Sequence, residues 1–294
     1  MNRPKTFGVW GNIEKDAFWD ILPKISEWSK KKNIELFLTE KILSDSRGSV
    51  YTHPKIDSKN KIAELDFMLV LGGDGTFLSC ARAVEHRYTP ILGIHLGDLG
   101  FLAKVTLENI FQRLEQVSEG QFTIEKRSMV KASILKNGSS LIQYGLNDCV
   151  VSNGESHRML IAEVYVDENR VSEYKADGLI ISTPTGSTAY SLSSGGPIIA
   201  PNVDSFVITP ISAHTLNSRP LVVSAKSTIK ITFSSYNQSI MFITDGQLHE
   251  ILSHEDIVSI TSSDFEICLI DFPDNDYFQT LRTKMGWGKR GNNS

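Results

Sequence analysis

The chain has 294 residues, 40% of them hydrophobic and 22% charged, with a formal net charge of −4. That is the composition of a folded globular protein, long enough for one large domain or two medium ones. It lacks the basic footprint of a nucleic-acid binder, and no stretch approaches the roughly 20 consecutive apolar residues of a membrane helix. Cys80, Cys149 and Cys268 stand at no metal-binding or redox spacing and read as free, buried thiols. The seven histidines include no His-Glu-x-x-His pair, so no protein-built zinc site is expected. Met1 to Lys5 runs into a strand-like Thr6 to Trp10 with no signal-peptide apolar region, and the expected location is cytoplasmic.

In chain order, short apolar runs alternate with helix-period segments up to about residue 125, the rhythm of a parallel sheet flanked by helices. Thr6 to Trp10 is the first strand. A helix follows with Phe18, Ile21, Leu22, Ile25 and Trp28 on one face, weakened in its middle by Pro23. Ile34 to Thr39 is the second strand, and the polar Ser44 to Asn60 reads as a loop. Phe67 to Leu71 and Ile91 to Ile94 are continuous apolar runs, as in strands covered on both faces. A helix is predicted over Phe77 to Val84 and another over Leu107 to Val117.

After Glu125 the period shortens. Ser128 to Leu135 and Leu141 to Leu146 flank Asn137-Gly138, a strong hairpin signal. Leu160 to Val166 alternates, turns at Asp167-Glu168-Asn169 and returns as Arg170 to Tyr174. From Val222 onward come Thr228 to Phe233, Ile240 to Thr244, Asp256 to Thr261 and Phe265 to Ile270, the spacing of an all-β domain of stacked sheets. Phe278, Leu281 and Met285 align in a last helix, Tyr277 to Met285, expected to return to the first domain. The expected organisation is an α/β Rossmann-like domain over 1–125, joined by the tail 272–294, and a β-rich domain over 126–271.

Gly72-Gly73-Asp74-Gly75-Thr76 stands between a buried strand and a helix. Glycines there let the backbone turn sharply and approach a phosphate, and amides at a helix start face an anion. The Lys-Ser/Thr ending of a Walker loop is absent, and Leu78 replaces the third glycine of a dinucleotide fingerprint. A carboxylate in a phosphate cradle repels the anion unless it binds a metal ion or takes a proton from an incoming hydroxyl. The plainer reading is a strand-to-helix turn with an N-cap aspartate.

Gly-Gly-Asp-Gly-Thr resembles the signature shared by NAD kinases, diacylglycerol and sphingosine kinases and, more loosely, phosphofructokinases. The choice among them comes from Asp177-Gly-Leu-Ile-Ile-Ser-Thr-Pro-Thr-Gly-Ser-Thr-Ala-Tyr-Ser-Leu-Ser193, which resembles the central NAD kinase motif almost letter for letter. In it a buried strand, a Pro-Thr-Gly turn and a short helix offer hydroxyls and amides, with Tyr190 available to stack on a ring. Asn147-Asp148 stands where that family usually shows Asn-Glu, and such a pair can hold the vicinal hydroxyls of a ribose. Thr209 to Val222, Asp245-Gly246-Gln247, Ile94 to Leu102 and Tyr277 to Trp287 resemble further family segments, with His95 where the family has Asn.

This resemblance, over about residues 67–289, implies transfer of the γ-phosphoryl group of ATP to the adenosine ribose 2′-hydroxyl of NAD, with Mg²⁺ accompanying the ATP. It implies Asp74 as proton acceptor. It places Gly72, Gly73 and Gly75 at the phosphates, and Asn147, Asp148, Asp177, Thr185, Thr188, Ala189, Tyr190, Ser191, Leu192, Ser193, Ser212, Asp245 and Gln247 at the dinucleotide, with Phe77 among the cofactor-binding residues. Arg158 and Lys175 are candidate phosphate partners or ordinary solvated cations, and Asp245 is a ligand contact or a turn residue. Family members are usually homodimers or homotetramers, often with a site shared between subunits. A lipid kinase would share residues 72–76 but lack the Thr-Pro-Thr-Gly-Ser-Thr-Ala-Tyr segment. A dinucleotide sensor without catalysis is the reading that His95 and Asp148 motivate. The donor (ATP, another nucleotide or polyphosphate) stays open.

Overall fold

The computed structural model describes residues 3–97, 99–136, 138–154, 159–215, 217–234 and 239–287. The chain divides into two compact units, Met1–Lys126 with Ile267–Ser294, and Arg127–Glu266.

The first unit is built on a parallel sheet. From its edge the strands run Lys55–Ile56, Glu35–Thr39, Thr6–Gly11, Phe67–Gly72 and Ile91–His95, with Leu269 pairing Ile91 beyond them. In chain order this is 3-2-1-4-5, a Rossmann-like sequence whose direction reverses between Thr6–Gly11 and Phe67–Gly72. Every residue of Phe67–Gly72 is buried, which is why the sequence there is a continuous apolar run rather than an alternating one. Phe7 and Phe67 stack across the two central strands with ring centroids 5.0 Å apart.

The helix Asp16–Lys32 packs Phe18, Ile21, Leu22, Ile25 and Trp28 into this core and ends at Asn33 in the left-handed conformation. It runs unbroken through Pro23, contrary to the expected weakness, because Pro23 lies on the exposed face. The Ser44 to Asn60 segment is likewise more ordered than its polarity suggests. It contributes the edge strand Lys55–Ile56 and the start of the helix Lys59–Ala63, which Ser58 caps by accepting the N–H of Lys61. The helix expected from Leu107 begins at Ile110 and runs to Ser118. The helix Tyr277–Met285 belongs to this unit, capped by Asp276 and closed by a left-handed Gly286. No helix among the described residues is long and apolar enough to cross a membrane.

The second unit stacks two sheets over one core. One contains Asn169–Ala176, Leu160–Val166, Ile229–Phe233 and the start of Ile257–Asp271, with the hairpin Thr123–Lys136 and Ser139–Gly145. The other is a six-stranded antiparallel sheet in the order Leu221–Ser224, Ser205–Ile211, Gly178–Ser182, Asp148–Ser152, Ile240–Thr244, Leu248–Leu252. Val130, Ile134, Val164 and Ile231 from the first meet Val151, Leu179, Ile181, Phe206 and Phe242 from the second. The short helix expected after the Pro-Thr-Gly turn is Tyr190–Ser193. The two strands expected over 256–261 and 265–270 are one strand, Ile257–Asp271. Asn137 lies outside the described residues, and Gly138 beside it takes a φ of 77° as a hairpin turn requires. Cys80, Cys149 and Cys268 are buried and form no disulfide among the described residues.

Candidate active site

In the first unit the strand Phe67–Gly72 ends at the glycine turn, and the helix Asp74–Val84 starts directly from it. The turn therefore lies beyond the carboxyl end of a parallel strand, at the reversal of strand order where open α/β sheets bind ligands. Gly73 is the N-cap, and its carbonyl accepts the N–H groups of Thr76 and Phe77 at 3.0 and 3.1 Å. Among the described residues, its own chain neighbours and helix backbone aside, no atom lies within 4 Å of where a Cβ on Gly73 would stand, and Gly75 is exposed. Space beside the turn is open.

Asp74 is not merely the first residue of a helix. Its Oδ2 accepts the N–H of Phe101 at 3.0 Å, and its Oδ1 accepts those of Leu102 and Ala103 at 3.2 and 3.3 Å. Three backbone donors aim the carboxylate and need no cationic side chain to do it. Gly100 makes this possible: a Cβ there would stand 2.1 Å from Asp74 Oδ1. These amides were not readable from the sequence, because every residue type but proline carries one; Gly100 was their only side-chain signal.

Phe77, expected at the nucleotide, stands in the first turn of the helix Asp74–Val84. Its side chain is fully buried and packs under Gly93, so it supports the turn from below. His95 ends the strand beside Gly72. Its Nδ1 lies 2.6 Å from the Gly97 carbonyl and so carries the proton, while the buried Nε2 has no hydrogen-bond partner among the described residues.

In the second unit the same device recurs around Asp245. Its carboxylate accepts the N–H groups of Leu146, Asn147 and Asp148 at 3.0, 2.8 and 3.2 Å, and its own N–H returns to the Asp148 carbonyl at 3.0 Å. Asp245 takes a φ of 50°, so it is both the turn residue of one expectation and the organiser of the Asn147-Asp148 backbone. Asp148 opens a strand and is 5% exposed. Burial, and after it the charge of Asp245, push its carboxyl up to about 7.

The Thr183 to Ser193 segment is tied to the same place. The Thr183 hydroxyl donates to the Leu146 carbonyl at 2.6 Å and accepts the N–H of Gly186 at 3.1 Å. Gly186 passes so close to Asn147 that a Cβ would stand 2.1 Å from the Asn147 carbonyl oxygen. Thr185 receives a hydrogen bond from the buried Arg127 at 3.3 Å, a cation that the sequence reading overlooked because it sits inside a strand. Thr188 turns its hydroxyl back to the Thr185 carbonyl. Ala189 and Leu192 are half-buried, Ser193 is exposed, and Tyr190 presents its ring at 47% exposure. Ser191 has its side chain wholly buried, 2.9 Å from the Thr209 hydroxyl.

The remaining candidates are not gathered there. Ser182 pairs with Asp148, whereas Asp177 precedes Gly178 at the other end of that five-residue strand, roughly 15 Å away along it. Ser212 follows Ile211, the partner of Gly178, and so lies near Asp177. The Lys175 ammonium is 3.3 Å from Glu173, and Lys175, Asp177 and Ser212 are all exposed. Gln247 is exposed just past the Asp245 turn. Arg158 lies outside the described residues.

Comparison with known proteins gives a consistent result. Residues 20–122 match the ATP-NAD kinase N-terminal domain and residues 146–272 the ATP-NAD kinase C-terminal domain. The chain is 40% identical over 282 residues to the NAD kinase of Thermoanaerobacter sp. (strain X514), covering 96% of this chain and 99% of that protein. It is 41% identical over 287 residues to the NAD kinase of Syntrophotalea carbinolica, covering 97% and 100% respectively. Among solved structures its fold resembles yeast NADH kinase complexed with NADH, with a TM-score of 0.91 at 21% identity over 100% of this chain and 91% of that one. It also resembles an NAD kinase from Archaeoglobus fulgidus in complex with ATP, with a TM-score of 0.76 at 24% identity over 96% and 98%.

Proposed function

The chain belongs to the NAD kinase family, and from that premise we propose how its residues divide the phosphorylation of NAD. The reaction moves the γ-phosphoryl group of ATP to the adenosine ribose 2′-hydroxyl of NAD, giving NADP and ADP. The bond from the 2′-oxygen to the γ-phosphorus forms, the bond from that phosphorus to the β,γ-bridging oxygen breaks, and the hydroxyl proton leaves. In our reading Asp74 takes that proton. The observation carrying this is the carboxylate fixed by three amides beside an open glycine turn, at the switch point of a parallel sheet.

Phosphoryl transfer asks the protein mainly for positioning and charge neutralisation. Gly72, Gly73 and Gly75 are assigned to the donor phosphates. Among the described residues no cluster of three or more metal-ligating side chains stands at the turn, so Mg²⁺ would enter with the ATP it accompanies. Asn147, Asp148 and the segment from Thr185 to Ser193 are assigned to NAD, with Tyr190 stacking on a ring. An Asp148 that keeps its proton near neutrality can donate a hydrogen bond as well as accept one, which suits a ribose hydroxyl.

Lys175, Asp177 and Ser212 stand a strand's length from Asn147 and Asp148. We assign their contact with NAD to a second copy of the chain, in a cytoplasmic homodimer or homotetramer. Exposed Leu221 and Val222 on one edge strand, and Leu248 and Ile251 on the other, support an association of copies.

The deciding experiment incubates purified protein with NAD, ATP and Mg²⁺ and follows NADP with an NADP-specific dehydrogenase. Asp74→Asn is expected to slow turnover by roughly 10²–10⁴-fold. Near-normal turnover in that variant removes Asp74 from the role given to it.

A further inference from the structure

The C-terminal helix Tyr277–Met285 is held to its unit by the buried Leu281, with Lys284 in its last turn. A lysine near a helix C-terminus ordinarily serves its own helix, by favourable interaction with the dipole or by donating to the last carbonyls. Lys284 does something else. Its ammonium donates to the Leu99 carbonyl at 2.7 Å, a residue 185 positions away in sequence, and sits 4.7 Å from the centroid of the Phe101 ring. The two contacts bracket Gly100, the residue whose missing Cβ admits the Asp74 carboxylate. The next three N–H groups, of Phe101, Leu102 and Ala103, are the donors that aim that carboxylate.

We propose that Lys284 is a positioning residue for the phosphoryl transfer, a strut from the C-terminal helix that fixes the 99–103 segment and through it the orientation of Asp74. Leu99 and Phe101 are only partly buried, so packing alone holds this stretch weakly. A charge-assisted hydrogen bond and a cation on a ring face hold it at two points. The inference rests on the reading of Asp74 as the proton acceptor. It gives the returning helix a purpose in the reaction, beyond closing the fold.

The test is a double-mutant cycle on the full chain. Lys284→Met keeps the aliphatic stem and removes the cation. Its kcat should fall roughly tenfold with both KM values within about twofold, since a misaligned general base costs rate rather than ground-state binding. Lys284→Arg, which can donate to the same carbonyl and lie on the same ring, should recover most of the rate. In an Asp74→Asn background Lys284→Met should cost nothing further, because what it positions is gone. Thermal melts of the Met and Arg variants separate loss of fold from loss of alignment. A normal kcat in Lys284→Met overturns the strut, as does a loss that multiplies with Asp74→Asn. So does a rise in KM at unchanged kcat, which would place the ammonium on a substrate phosphate instead. Near-normal turnover in Asp74→Asn alone overturns the Asp74 reading, and the strut with it.

Discussion

Asp148→Asn isolates one buried carboxyl whose ionisation the fold resists. In the unfolded chain that carboxyl titrates near its usual 3.8, and in the folded chain burial and the neighbouring Asp245 hold it at about 7. Between those values the native state keeps a proton that the unfolded state has released, so stability falls as pH rises. The expected slope is about 1.4 kcal/mol per pH unit, and the whole interval corresponds to about 4 kcal/mol. The loss is absent below about pH 4 and complete above about pH 7. Asparagine fills the same space with no titration. Denaturant melts of both proteins, at intervals from about pH 4.5 to about pH 8.5, yield the difference in unfolding free energy, in which other titrating groups cancel. That difference should grow in favour of the asparagine variant across the window and then level. A difference constant to within about 0.5 kcal/mol at both ends would show that Asp148 ionises as an ordinary surface carboxyl, and the argument from burial would fail.

Gly100→Ala introduces a methyl 2.1 Å from Asp74 Oδ1 and must turn the carboxylate off its three donors. We expect kcat to fall roughly 10²-fold, measured by NADP formation, with the melting temperature little changed. Gly186→Ala meets backbone, the Asn147 carbonyl oxygen at 2.1 Å, which cannot swing aside as a side chain does. It should destabilise by about 1–3 kcal/mol and raise KM for NAD, checked by melts and by titration with the dinucleotide.

What was legible in the sequence follows from what each element needs. Phe67 to Leu71 announces itself because a strand covered on both faces has no polar alternative. The Asp167-Glu168 turn is legible because both residues take positive φ, 49° and 65°, which polar turn residues tolerate best. Ser205–Ile211 is a strand although Pro210 argues against one. Pro210 is accommodated because the neighbouring Leu221–Ser224 pairs only with residues 205 to 208, leaving the strand unpaired on that side where the proline falls. Lys55–Ile56 is too short to show a period at all. The turn at Asp74 was legible from its glycines, and the exposed Tyr190 stands in the segment that its motif marked. Lys284 and Arg127 were not, because a lone cation in a helix or strand reads as solvated until its partner is seen.

Three aspartates at the two candidate regions are treated in two ways, and the difference assigns their chemistry. Asp74 and Asp245 each receive three backbone N–H groups from consecutive residues, 101–103 in one case and 146–148 in the other. Such donors fix the direction of a carboxylate. For Asp74, beside open space, that produces an aimed acceptor; for Asp245, enclosed at 6% exposure, it produces a structural pin. Asp148 contributes its N–H to that pin while its own carboxyl faces the pinned charge. The pin that shapes the Asn147-Asp148 backbone therefore also helps keep the Asp148 proton in place. If Asp148 meets NAD as a neutral acid, KM for NAD should rise as pH passes about 7, and Asp148→Asn, which installs a permanent donor, should abolish that rise. A wild-type KM that is flat from about pH 6 to about pH 8.5 would separate the proton on Asp148 from dinucleotide binding, leaving the shared device as architecture alone.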